Sequence, residues 1–269
     1  MKLRGKIFLA VALLILYFPI FYLMFYSFNS AGNMNHFESF TLDHYKAVFE
    51  NKRLLVIIVN TLAVALIAAS ISTVIGICGA IAIHYMRNKK IKIGLLTLNN
   101  ILMVSSDVVI GSSFLILFTA IGHFTGLGLG FWSVLISHIA FCVPIVVLLV
   151  LPKLYDLNTS LINASYDLGA STWQTIKNVI IPHIMPGALA GFFMALTYSL
   201  DDFTVSFFVT GNGFSVLSVE IYSMARKGIS MEINAISTLM FLVVMTIIAI
   251  YYVLTVNADK KKLKAGAKS

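Results

Sequence analysis

Charge is scarce in this chain of 269 residues: Asp, Glu, Lys and Arg together make up 11%, against 59% hydrophobic residues. A soluble domain carries about a quarter charged residues, and a mean hydropathy of +0.93 therefore excludes one and indicates an integral membrane protein. Cysteine is nearly absent. Cys78 and Cys142 both lie inside apolar runs, which excludes a disulfide framework and leaves two small buried hydrophobes. A Gly-x-x-x-x-Gly-Lys-Ser/Thr phosphate loop is missing, so the chain does not itself hydrolyse ATP. His36, His44, His84, His123, His138 and His183 lack His-x-x-x-His or His-Glu-x-x-His spacing, and no Gly-x-Ser-x-Gly elbow occurs. No metal, cofactor or catalytic residue is expected, and His138 reads as a packed, hydrogen-bonded residue within a span. Repeats, low-complexity linkers and a second domain are also missing, so 1–269 reads as one membrane domain. The formal charge of +8 does not indicate nucleic acid, because the basic residues sit in short clusters between apolar runs.

What the chain has is apolar runs of the length a bilayer demands. A helical span needs roughly 20 such residues, and runs of this kind cover about 7–28, 54–85, 93–121, 131–151, 187–210 and 236–256. The fold class is accordingly all-α, a polytopic bundle of six spans. The first run follows Lys2, Arg4 and Lys6 as a signal peptide would, but exceeds the ~7 to 15 residues of such a core and reads as an uncleaved span. Lys2, Arg4, Lys6, Arg87, Lys89, Lys90, Lys92, Lys153, Lys177 and the lysines from Lys260 to Lys268 fall on one side. Only Lys46, Lys52, Arg53, Arg226 and Lys227 fall on the other. The positive-inside rule then places both termini and the segment 153–186 in the cytoplasm. Outside, 29–53 reads as a polar loop. In 211–234 the spacing of Leu217, Ile221, Met224 and Ala225 predicts a short helix. The pair Gly187 and Gly191 permits a close helix approach, and the lysines after Asp259 read as a frayed tail.

The segment between spans four and five is polar and helix-prone. Asn158 can cap a first helix, Gly169 can end it in a left-handed conformation, and Ser171 with Gln174 forms a capping box for a second. Leu161, Ala164, Ser165 and Leu168, then Trp173, Ile176 and Ile180, give each helix a face to dock. This stretch resembles the cytoplasmic "EAA" loop of bacterial ABC importer permeases: Glu-Ala-Ala, three residues, Gly, nine residues, Ile-x-Leu-Pro. The pattern falls on Asn163, Ala164, Ser165, Gly169, Val179, Ile181 and Pro182, with Asp167 inside the loop. Asn163 stands where the family has Glu, Ser165 where it has Ala, and Val179 and Ile181 replace Ile and Leu. The resemblance implies a coupling helix seated on an ATP-hydrolysing subunit.

Three carboxylates lie within spans: Asp107 in the third, Asp201 and Asp202 in the fifth. A central Asp costs ~2.5 to 3.5 kcal/mol in lipid, so these must face protein, water or a cation. Asp107 is fifteen residues after Lys92 and Asp201 fifteen after Pro186. On unbroken helices both would lie roughly 22 Å from the inner edge, in one layer of a pathway. An arriving cation is the natural counter-charge, with Tyr198, Trp132 and Tyr222 as aromatic faces for an alkylammonium group. Two alternatives stay open. Asp107, after Ser105 and Ser106, can cap a broken helix, and adjacent aspartates point ~100° apart, so both cannot line one face.

The runs Ser-Ser-Asp-Val-Val at 105–109, Gly-Phe-Trp-Ser at 130–133, Ser-His-Ile-Ala-Phe-Cys-Val-Pro at 137–144, Ser-Leu-Asp-Asp-Phe at 199–203, Ser-Phe-Phe-Val-Thr-Gly at 206–211 and Ile-Tyr-Ser-Met at 221–224 are similar to the spermidine/putrescine branch of these permeases. That branch has Ser-Pro-Asp where this chain has Ser-Ser-Asp. The resemblance implies a bacterial inner-membrane location, a second homologous permease, a pair of ATP-binding subunits, an extracytoplasmic polyamine-binding protein and a polyamine substrate. Membrane lipid would surround the spans, and nucleic acid is no partner. A permease for another small solute, or a proton-coupled secondary transporter using the aspartates, are the rival readings.

Overall fold

The structure is a computed structural model that describes residues 3–126, 128–227 and 231–266. In chain order its helices are α1 (Leu3–Tyr26), α2 (Asp43–Glu50), α3 (Lys52–Tyr85), α4 (Lys89–Val104), α5 (Asp107–Thr125) and α6 (Phe131–Tyr155). There follow α7 (Thr159–Asp167), α8 (Thr172–Thr175), a π-helical turn (Ile176–Ile180), α9 (Ile181–Asp201), α10 (Thr204–Val209), α11 (Leu217–Lys227) and α12 (Met231–Gly266). The fold is all-α, and six helical stretches among the described residues are long and apolar enough to cross a membrane. The chain groups into two compact units, Val56–Glu220 and Met1–Leu55 with Ile221–Ser269.

Within Val56–Glu220 the organising element is α6. Val134, Cys142, Val146 and Val150 along it have no exposed surface. The reason is glycine on both neighbours. A Cβ at Gly76 of α3 would sit 2.6 Å from the Val146 side chain, one at Gly187 of α9 2.7 Å from the Leu149 carbonyl, and one at Gly191 3.2 Å from Val146 Cα. Backbones that approach this closely attract one another by dispersion that lipid cannot supply, and the expected Gly187/Gly191 approach is realised against α6. By contrast α5 packs mainly on α10; only 6% of its span window is buried, against 67% for α6.

In the other unit α1 and α2 pack on α12. The expected polar loop at 29–53 is more ordered than its composition indicated. Asn29 is fully buried, and its amide donates to the carbonyls of Asn33 and His36 at 2.9 and 2.8 Å. Its Oδ1 accepts from the backbone N–H groups of Ala31 and Glu38, and His44 Nε2 donates to its carbonyl. One side chain thus satisfies a whole turn of backbone, and α2 follows directly.

Three span boundaries differ from expectation. The third apolar run is two helices, α4 and α5, parted at Ser105–Ser106, both extended with ψ 146° and 134°. The fifth begins earlier, because helix continues without interruption from Thr172, and it stops at Asp201. Pro182 explains the π turn just before it: its ring would crowd the Asn178 carbonyl of an ordinary α-turn, and it has no N–H to return. The sixth helix runs on to Gly266, so the lysine-rich end is helical that far and not frayed.

Candidate functional site

Two helix breaks create the site. On one side Ser106 caps α5 with its carbonyl, which accepts from Val109 and Ile110 N–H at 2.9 and 3.1 Å, and Asp107 opens the helix. A carboxylate in a first turn is favoured by the positive end of the helix dipole, which offsets part of its cost in a membrane. On the other side α9 ends at Asp201, and Asp202 is extended, with ψ 116°. Its carboxylate accepts from Val205 N–H at 3.2 Å and Ser206 N–H at 2.8 Å and so caps α10.

The breaks meet at a cavity of about 160 Å³ lined by Asp107, Tyr198, Asp201, Asp202, Phe203 and Thr204. Tyr198 O–H points to Asp107 Oδ1 at a long 3.4 Å, and its ring packs edge-on against Phe141 with centroids 5.2 Å apart. Asp107 and Asp201 are exposed, and among the described residues Asp201 makes no hydrogen bond or ion pair. Asp202 is different. Only 8% of its side chain is exposed, and its Oδ2 lies 3.5 Å from Nε2 of the buried His138. The adjacent aspartates therefore divide: Asp201 faces the cavity unpaired, whereas Asp202 forms part of the wall.

Asp107, Tyr198, Asp201 and Asp202 are thus brought together as expected, but not by equal depth on unbroken helices. Each acid sits beside a break, so the count of 1.5 Å per residue does not set their level. The other two aromatic residues are not lining residues. Trp132 is 65% exposed, with its ring edge-on to Phe131. Tyr222 belongs to the other unit, where the Arg226 guanidinium lies 6.0 Å over its ring. Phe203 and Thr204 line the cavity unforeseen; as residues immediately after an Asp-Asp break, they carried no signal of their own.

The segment after α6 follows its local chemistry. Asn158 Oδ1 accepts from Ser160 N–H at 3.0 Å, and Gly169 ends α7 at φ +81°, a conformation that penalises any side chain. Ser171 and Gln174 exchange capping bonds of 2.7 and 3.3 Å. Ser165 Oγ meets Thr175 Oγ1 at 2.9 Å and ties α7 to α8. Asn163, Ala164 and Asp167 are exposed on α7. Val179 within the π turn and Ile181 at the start of α9 are half-buried, and Pro182 next to it is exposed. Of the apolar face, Leu161 is 52%, Leu168 89% and Trp173 68% exposed, while Ile180 is buried.

The family model described as binding-protein-dependent transport system inner membrane component matches residues 72–264. The spermidine/putrescine transport system permease protein PotC of Escherichia coli (strain K12) is 36% identical over 253 residues, covering 93% of this chain and 92% of the relative. The putrescine transport system permease protein PotI of the same strain is 28% identical, covering 93% and 89%. A solved bacterial ABC transporter involved in the import of the acidic polysaccharide alginate matches with a TM-score of 0.73 at 16% identity, over 93% and 92% of the two chains. An inward-facing MetNI methionine ABC transporter matches at 0.63 and 17% identity, over 77% and 98%. The fold is therefore that of ABC transporter permeases, and the chain belongs to the family of inner membrane components of binding-protein-dependent transport systems.

Proposed function

We propose that this chain is the permease subunit of an ATP-driven importer of polyamines and contributes half of the translocation pathway. The observation that carries the substrate class is the cavity where Asp107 and Asp201 converge beside the Tyr198 ring, with no basic side chain among its lining residues. Two exposed carboxylates and an aromatic wall suit a flexible alkylammonium chain, whose charges replace water with carboxylate contacts as it passes. The names of the relatives PotC and PotI support the same class. A transit site must also release its cargo, and a shallow cavity with one long Tyr198–Asp107 contact favours release over tight holding.

In this reading both termini and α7–α8 lie in the cytoplasm, as the distribution of lysine and arginine favours. The exposed Leu161, Leu168 and Trp173 seat on an ATP-binding subunit, one of a pair, and an external binding protein delivers the polyamine. ATP-driven closure of that pair moves α7–α8. Because helix is continuous from Thr172 to Asp201, the displacement reaches the acidic cavity through one element. A second homologous permease completes the pathway. The whole chain works as one membrane domain, and ATP hydrolysis belongs to the partner subunits.

The test is uptake of labelled spermidine and putrescine into proteoliposomes holding the full assembly, with ATP inside and no ion gradient. Uptake that depends on ATP and is competed by polyamines but not by an amino-acid panel is the expected result. Uptake that needs a proton gradient instead would put the protein among secondary transporters. Competition by a different solute would keep the importer and discard the polyamine.

A further inference from the structure

His138 is the buried titratable group that a cation pathway lined by Asp107 and Asp201 leaves unused. It sits on α6 with 1% exposure and touches both helices that flank the Asp202 break. Nδ1 lies 2.7 Å from Ser199 Oγ on α9, and Nε2 lies 2.9 Å from Ser206 Oγ on α10. Both serines are buried, at 3% and 0%. A hydroxyl can donate or accept, so the ring is satisfied at both nitrogens here. The Phe141 ring packs on the imidazole at 5.0 Å and closes one side of it. Behind the ring's Nε2 stands Asp202 Oδ2, already fixed by the Ser206 amide, and Ser218 Oγ donates to the Asp202 carbonyl at 2.6 Å. Asp202 is thus fixed through both its side chain and its backbone.

We infer that His138 is the resident partner of Asp202: the buried ring, held between α9 and α10, keeps that carboxylate in the cavity wall and leaves Asp107 and Asp201 as the charges a passing cation meets. His138 is thus a positioning residue that sets the charge count of the site. This rests on the polyamine reading for the identity of the cation, but the pairing itself does not. The other titratable groups around the pair are Cys142 on the same helix, Tyr198 and Asp201 on α9, and Asp107 on α5. Asp107 and Asp201 are exposed at the cavity; Asp202, the third lining carboxylate, turns its Oδ2 to the imidazole. Removing the ring would free Asp202 Oδ2 toward the cavity as a third negative charge, which favours a solute with more ammonium groups. Removing the Asp202 carboxylate would leave the Val205 and Ser206 amides and the ring without their acceptor, which loosens the wall for every cation.

The experiment uses the full assembly in proteoliposomes with labelled putrescine and spermidine, and compares wild type with His138→Gln, Asp202→Asn, the double variant and Val146→Ala. The readouts are the spermidine-to-putrescine ratio of uptake efficiency and the unfolding temperature of the purified assembly. His138→Gln is expected to raise the ratio roughly tenfold, the effect of one further charge-assisted hydrogen bond to the longer cation. Asp202→Asn is expected to depress uptake of both, and the double variant to return the ratio to wild type. Each single change should lower the unfolding temperature and the double should recover most of that loss. Val146→Ala loosens the same helix without touching charge, and should lower the unfolding temperature while leaving the ratio alone. An unmoved ratio in His138→Gln, or losses that simply add in the double variant, would overturn the pairing. If wild type moves neither polyamine, the substrate reading fails, and the unfolding cycle still decides the pairing. Should the single variants fail to assemble, assembly of the double supports the pair and its failure refutes it.

Discussion

The helix that runs from Thr172 to Asp201 is held at its two ends in opposite ways. At the start, the side-chain hydrogen bonds among the described residues are local: Ser171 with Gln174, Ser165 with Thr175, Asn158 with Ser160. At the finish, the bonds come from far along the chain, with His138 reaching Ser199 across 61 residues and Ser206 across 68. The first end can form early and exposes Leu168 and Trp173. The second exists only once α6 has packed against α9. A region built from local bonds can move as a body when pushed, whereas a region built from distant ones keeps its shape until the packing itself changes.

Gly187→Leu is the strongest test of that contrast, because it attacks the packing on which the distant end depends. With the Leu149 carbonyl 2.7 Å from where a Cβ would be, α6 and α9 must separate. A loss of about 3 kcal/mol or more is expected, seen as a fall in monodisperse assembly on gel filtration. Normal assembly would show that the acidic end does not need this approach. Next comes Trp173→Ala, which removes an exposed ring from the local end. It should weaken co-purification of the ATP-binding subunits by about 2 kcal/mol while the unfolding temperature of the permease holds. Asp201→Asn should then separate charge from shape: uptake falls on the order of tenfold, and stability changes by less than ~0.5 kcal/mol, since Asp201 bonds to nothing described. A matching drop in stability would mean that Asp201 is structural like its neighbour. The mildest is Ser171→Ala, a lost cap of ~1 kcal/mol, read as faster amide exchange at 172–175 with none at the Asp201 end.

The same contrast explains what could be read from the chain alone. Caps, the Gly169 turn and the spans follow from residues within a turn of one another or from apolar runs, and these expectations hold for Asn158, Gly169, Ser171 and Gln174. The breaks at Ser105–Ser106 and at Asp202 interrupt runs whose hydropathy barely changes, so composition passes over them. For Asp107 the helix break left open beside the pathway role is present, but Ser106 is the capping residue and Asp107 opens the helix and lines the cavity. The aromatic wall was legible only in Tyr198, whose spacing of four residues from Asp202 is helical. Trp132 and Tyr222 were placed by their nearness to the outer side, which says nothing about which way they face. Asn29 illustrates the same limit, since a polar residue at a span end looks like any loop residue until its partners at Ala31, Asn33, His36, Glu38 and His44 are seen.

The π turn at Ile176–Ile180 stores one spare residue between these ends. Its Ile181 N–H reaches back to Ile176 instead of Lys177, so it holds one residue more than an α-turn would. Deleting one residue there could be absorbed by converting the turn to α, with the helix unbroken on either side. The side chains of α8 would then keep their facing relative to Asp201, because the residue lost is the one the wider turn had already taken up. The phase of the long helix is thus insulated from a change of length at this one turn, which can give up a residue without turning Trp173 relative to Asp201.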